Sequence, residues 1–226
     1  MKFWARFKNP RPTLAFAFAE LADTDEVSLE RLTTLPDAPI DNSTVYLLKI
    51  SLDHAKPAVW RRIVTPSVTL SELHVLIQTV MGWTDSHLHG FDVRQVRVPS
   101  IEDGEVVSED TLSVSQLFAA HIKTFRYTYD FGDDWQHTIS IESVQPLENG
   151  QVYPKCQAGA GACPLEDVGG VDQWSELLDV LKHQQLDCNE SMTSLLARVG
   201  RDFRPEQFEL VDVNHRLAQS IRNAKR

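Results

Sequence analysis

Two alternating runs separated by four residues, KTFRYTYD (Lys123–Asp130) and WQHTISIESV (Trp135–Val144), commit the middle of this chain to a β-hairpin. Strand side chains alternate between faces, so Phe125, Tyr127 and Tyr129 share one face of the first strand. Trp135, His137, Ile139 and Ile141 share one face of the second. The break, FGDD, supplies Gly132 for the reversal and places Asp130, Asp133 and Asp134 together at the turn.

The rest of the chain supplies more strands early and helices late. VYLLKISL (Val45–Leu52) and AVWRRIV (Ala58–Val64) read as a second hairpin, and HLHGFDV (His87–Val93) as a further strand. Between them Thr69 precedes Glu72 at capping-box spacing. Leu73, Leu76, Ile77 and Val80 give the helix that follows a buried stripe, and Gly82 stops it. LSVSQLFAA (Leu112–Ala120) is a short helix, and residues 153–170 read as a loop rich in glycine and alanine. Three helices over about 172–184, 190–199 and 209–223 close the chain, with Asp172 as a candidate N-cap. Strands first and helices last predict an α+β fold: a mixed or antiparallel sheet with β-hairpins, packed by helices concentrated in the C-terminal part. Residues 1–43, with a short helix over Val27–Leu35 and a proline-bearing linker, read as an N-terminal extension. Residues 44–226 form the main domain.

Composition narrows the function classes. The 226 residues carry 22 basic and 32 acidic side chains, a net charge of −10, which disfavours long-range attraction to nucleic acid. The charge is uneven. Residues 1–12 hold four cations and no acid, and residues 198–226 hold seven cations against four acids, so basic termini could meet nucleic acid or a protein partner. No apolar run is long enough to cross a membrane, and Pro10, Pro12 and Glu20 break the resemblance of the N-terminal segment to a secretion signal. A cytoplasmic location is expected. Three cysteines, Cys156, Cys163 and Cys188, do not make a disulfide scaffold. Their spacing lacks the C-x-x-C pairs of zinc ribbons, although a zinc site with a histidine is one alternative.

Candidate chemistry gathers around the main hairpin. His87 and His89, two apart on one expected strand, would point to the same side and could grip one divalent metal ion, with Asp130 or His137 completing the set. A bound water could then attack a phosphoester or amide, the reading of a metal-dependent hydrolase. The competing reading makes the carboxylates turn residues and the aromatics core. Arg61 and Arg62 must split between the two sheet faces, one toward solvent and one toward a carboxylate, and a phosphate site there is a further alternative. The sequence contains no P-loop, no strand-linked GxGxxG, no GxSxG elbow and no HExxH. That favours a non-enzymatic binding or accessory module over an enzyme.

In order along the chain, VYLLKISL, AVWRRIV, LHVLIQTVMGW, HLHGF, YTYDFGDDWQHTI, C-x6-CPLEDVGG and RPEQFELVDVNHRL resemble the plasmid pRiA4b ORF-3-like family over roughly residues 44–221. Some members of that family are labelled insertion-element passenger proteins. The resemblance implies an α+β domain of unknown biochemical function in a mobile-element setting. It also implies shared polar positions at His87, His89, Asp130, Asp133, Trp135 and His137, with Cys163, Glu166, Asp167, Gly169 and Gly170 in a second motif. Leu165 and Trp174 depart from the family pattern, where a second proline and a tyrosine are common. Together these positions define one expected pocket formed by His87, His89, Asp130, Asp133, Trp135, His137, Glu166 and Asp167.

Overall fold

The computed structural model describes residues 43–102, 105–183, 189–200 and 202–224, together with Leu32 and Leu35. Cys188, residues 1–12 and most of the helix expected over Val27–Leu35 lie outside the described residues. The strands are β1 (Thr44–Leu52), β2 (Val59–Thr65), β3 (His89–Val93), β4 (Val96–Val98), β5 (Ser100–Glu102), β6 (Glu105–Val107), β7 (Thr124–Tyr129), β8 (Trp135–Pro146) and β9 (Lys155–Ala160). The helices are α1 (Leu70–Met81), α2 (Val114–Ala119), α3 (Gly170–His183), α4 (Glu190–Val199) and α5 (Leu210–Ala224). Among the described residues no helix is long and apolar enough to cross a membrane.

Seven strands form one sheet in the order β4-β3-β7-β8-β1-β2-β9, and every pairing in it is antiparallel. The fold is therefore α+β, with an antiparallel sheet. The β7–β8 hairpin sits in the middle. Its register sets Tyr127 opposite His137 and Tyr129 opposite Trp135, while His89 on β3 lies opposite Tyr129. Phe125, Tyr127, Tyr129, Trp135, His137, Ile139 and Ile141 are all buried, so the aromatic face is core.

Helix α1 belongs to that core, and its sequence accounts for its limits. Thr69 accepts from the Glu72 N–H and Glu72 reciprocates at the Thr69 N–H, closing the capping box. Gly82, at φ +89°, ends the helix in the left-handed region. Leu73, Leu76, Ile77 and Val80 bury the expected stripe, and burial of each stabilises the fold by about 1.5–3 kcal/mol.

Two expectations are corrected. Residues 153–170 are not wholly loop, because Lys155–Ala160 forms β9, the strand at one edge of the sheet. Its small residues have a packing cause: a Cβ on Gly159 would stand 2.6 Å from the Phe208 ring. Asn214 of α5 covers the edge by accepting from the Cys156 N–H and donating to the Cys156 carbonyl. The N-terminal end of α3 is Gly170, so Asp172 lies in the first turn and is not the cap.

Candidate functional site

The turn between β7 and β8 is built by Asp130. Its φ is +54°, and its Oδ1 accepts the Gly132 N–H at 3.0 Å and the Asp133 N–H at 3.3 Å. This arrangement is an Asx turn, in which a carboxylate takes the place of a backbone acceptor. It leaves Asp130 Oδ2 on the outer side of the turn.

Asp133 works differently. Its Oδ2 reaches across to the CPLEDVGG loop and accepts the N–H groups of Val168 and Gly169 at 3.1 and 3.0 Å. Gly170 packs against the same turn. A Cβ there would stand 2.6 Å from the Asp133 carbonyl oxygen, and its φ of +80° also favours glycine. Asp133 therefore ties the two motifs together through Oδ2, and it belongs to neither cluster of three ligand-type residues among the described residues.

More contacts pin that loop. Trp83 Nε1 donates to the Pro164 carbonyl. Glu166 Oε2 accepts from the Thr84 N–H and hydroxyl, and Glu166 Oε1 accepts from the Tyr129 hydroxyl at 2.5 Å. Partial burial pushes the Glu166 carboxyl up, and these hydrogen bonds outweigh it, so the carboxyl stays below its usual range. Arg198 of α4 donates to the carbonyls of Glu166 and Asp167. Held this way, Asp167 turns its carboxylate toward His87.

Three ligand-type atoms meet at this point. His87 Nε2 lies 2.9 Å from Asp167 Oδ1 and 3.6 Å from Asp130 Oδ2. The Asp167 contact is close in distance but lacks hydrogen-bond alignment, so Nε2, although buried, has no hydrogen-bond partner. One donor atom each from His87, Asp130 and Asp167 lies within 4.8 Å of the other two. Donors that share one ion at ~2.1 Å lie roughly 3–4 Å apart, so small side-chain movements would close a coordination sphere. An imidazole with two carboxylates is a set that suits borderline divalent ions.

The expected strand that carries both His87 and His89 toward one ion is corrected. The strand starts at His89, so His87 belongs to the preceding loop and the two rings leave the chain in different surroundings. His89 stacks on His74, with centroids 3.4 Å apart and planes within 4°, and its Nε2 is 3.0 Å from Glu109 Oε2. His74, Asp85 and His89 form a second cluster of ligand-type residues, but its atoms are engaged. Gln78 donates to the Tyr127 oxygen, whose hydroxyl lies 2.8 Å from His74 Nδ1. His74 Nε2 is 2.9 Å from Asp85 Oδ1. Burial pushes the Tyr127 phenol well up, so it keeps its proton for His74. Burial lowers the His74 imidazole against the opposing pull of Asp85. This network is hydrogen-bonded throughout except at Glu109 Oε1, which is buried without a partner among the described residues. Its sequence signal was His74, a polar residue beside the apolar stripe of α1.

His137 does not join either cluster. It is fully buried beneath Trp83, and its Nδ1 is 2.9 Å from the Trp135 carbonyl oxygen. A carbonyl only accepts, so Nδ1 carries the proton. Burial drives the imidazole down to about 4, so near neutral pH it is uncharged and Nε2 is a bare acceptor without a partner. Trp135 is likewise core, and its indole N–H also has no partner. Among the described residues neither Cys156 nor Cys163 falls in a cluster of three ligand-type side chains, and burial raises both thiols, the latter to about 12. Of the arginine pair, Arg62 grips Glu142 at 2.7 and 2.9 Å on the exposed face, while Arg61 is buried and donates to backbone carbonyls.

Comparison with known proteins places this architecture. An uncharacterized protein, y4hQ, of Sinorhizobium fredii is 40% identical over 144 residues, which covers 62% of this chain and 74% of that protein. The crystal structure of a protein of unknown function from Methanosarcina mazei Go1 superposes with a TM-score of 0.66 at 37% identity, covering 75% of this chain and 96% of that one. The sequence pattern described as plasmid pRiA4b ORF-3-like protein matches residues 44–212, a span that takes in the β7–β8 turn, the His87 loop and CPLEDVGG, and the chain belongs to that family.

Proposed function

We propose that this protein is a non-enzymatic binding module whose contact point is a divalent cation held by His87 Nε2, Asp130 Oδ2 and Asp167 Oδ1. One observation carries the reading: three donor-type atoms from three separate segments face one another, and none is engaged by a hydrogen bond. The Asp167 side chain is 65% exposed, so an ion there would keep positions open to an oxygen ligand of a partner. Glu166, the carboxylate next in line, is taken up by Thr84 and Tyr129 and is not free to act as a base. That favours binding over turnover. The plasmid in the family's description supports an accessory role in a mobile-element setting. Metal-assisted hydrolysis is the second reading, favoured by the same open positions.

Titration calorimetry of chelator-treated, dialysed protein with Zn2+, Mn2+ and Mg2+ tests the proposal. One site per chain is expected for at least one ion, weakened about 100-fold or more in Asp130→Asn and in His87→Ala and unchanged in His137→Leu. Absence of binding, or equal binding by the Asp130 variant, would overturn it. Turnover of bis(p-nitrophenyl) phosphate by the metal-loaded protein, abolished in Asp130→Asn, would replace binding with hydrolysis.

A further inference from the structure

A second site lies away from the cation triad. The C-terminal end of α1 and the start of α5 enclose a cleft of about 260 Å3, lined among others by Arg61, Met81, Gly82, Cys163, Phe208 and Arg216. We propose that this cleft binds a compact oxyanion, a phosphate or carboxylate group, gripped by Arg216 with Arg61 behind it. The inference does not depend on a cation at the triad.

Arg61 is 3% exposed, and its guanidinium is stacked 4.7 Å from the Phe208 ring. Nε donates to the Val80 carbonyl, Nη1 to the carbonyls of Trp60 and Ala160, and Nη2 to that of Gly161. Four of its five N–H groups are thus used, none on a carboxylate. Among the described residues, no carboxylate lies within 4.0 Å of Arg61 or Arg216. Burial lowers the Arg61 guanidinium, and burial raises the two thiols that act on it, Cys163 and Cys156. Arg61 is a buried cation with no carboxylate in direct contact among the described residues.

Arg216 places a second cation beside it. Its Nε donates to the Thr79 carbonyl, and its two terminal nitrogens have no acceptor among the described residues. Gly82 lies beside that guanidinium, where a Cβ would make only ordinary contact at 3.8 Å with Arg216 Cζ and Nη2. The carbonyls of Thr79 and Val80 belong to the last turn of α1, whose end carries only about half a negative charge. Two guanidinium charges offset it, but Glu209 and Asp212 also line the cleft, so an anion is drawn by the unengaged terminal N–H groups of Arg216 and not by net charge. A planar edge of parallel N–H groups matches the two oxygens of a carboxylate or phosphate, and Met81 and Phe208 form part of the cleft's lining. Glu209 and Asp212 stand on the α5 side of the cleft. Glu209 already accepts from Gln207, and both carboxylates would repel an extended polyanion. The site therefore selects a small ligand with a single oxyanion group.

Calorimetry with inorganic phosphate and with acetate, at constant ionic strength in chloride, tests this. Binding of at least one probe to the wild type is expected, weakened about 10-fold or more in Arg216→Gln, which keeps the side chain's reach but not its charge. Asp212→Asn, which removes a repelling carboxylate, tightens the same probe. Phosphate alone, acetate alone or both identifies the ligand's acidic group. Affinity weaker than about 10 mM for both, or binding equal in Arg216→Gln and the wild type, would overturn the proposal. The cation measurement reads different residues, so either site can fail without the other.

Discussion

Replacing His137 by leucine removes an imidazole that has no contact with water and a bare Nε2. The native ring is held at about 4 against an ordinary 6.5, and burial is the main cause. The unfolded chain therefore takes up a proton below about pH 6.5 that the folded chain refuses until about pH 4. The stability this group contributes is complete above pH 6.5 and is lost as pH falls through that window, by about 1.4 kcal/mol for each pH unit. Between pH 7.5 and 5.0 the loss is about 2 kcal/mol. His74, also lowered by burial, adds a loss of the same sign. Glu72, raised by burial, opposes it near the lower end of the window. Glu142 is lowered by Arg62 and Glu166 by its hydrogen bonds, so their contributions fade only at lower pH. Urea denaturation at pH 7.5 and 5.0, followed by tryptophan fluorescence, measures the effect. The wild type should lose about 2 kcal/mol more than His137→Leu on acidification. At pH 7.5 the two should agree within about 1 kcal/mol, since leucine gives up one hydrogen bond but also removes an unpaired acceptor. Parallel losses in the two proteins would refute the assignment of the titration to His137.

Thr69→Ala removes one half of the α1 capping box and should cost about 1 kcal/mol in the same denaturation assay. Gly170→Ala forces a side chain into a left-handed backbone and against the Asp133 carbonyl, so it should cost more than about 1 kcal/mol and lower the melting temperature. Asp133→Ala releases two backbone N–H groups of the CPLEDVGG loop and should weaken cation binding at the triad through Asp167. Asp133→Asn, which keeps an acceptor oxygen, should restore part of it, as calorimetry would show.

Much of this architecture is legible in the sequence because local rules and the fold agree. The β7–β8 hairpin follows from period-two alternation, and α1 follows from its capping box, stripe and terminal glycine. The edge strand β9 was not legible. KCQAGA has little strand character, and its glycine and alanines are required by the Phe208 ring and by pairing with β2, both distant in the chain. The site was legible in membership more than in grouping. Strand periodicity could not reveal that His87 stops short of the strand, so His87 and His89 seemed to be neighbours. Nor could it show that Asp133 faces the loop while Asp130 makes the turn. Arg216 carried no local signal, because its role depends on where α5 docks against α1.

The two proposed sites share a wall. Gly82 lines the oxyanion cleft and His87 stands in the triad, five residues along one segment. Cys163 lines the cleft and Asp167 stands in the triad, four residues along another. The segments are bonded to each other at Trp83 with Pro164 and at Thr84 with Glu166. The Tyr129 hydroxyl accepts from the Ser86 N–H and donates to Glu166, fastening both segments to the hairpin. Neither segment can shift alone without breaking hydrogen bonds at Glu166, of which the two to Thr84 are exposed and the one from the buried Tyr129 is the costlier to lose. Such a cost explains the density of partners on Glu166. Its carboxylate holds the spacing between His87 and Asp167 and is better understood as the keystone of the site than as one of its ligands.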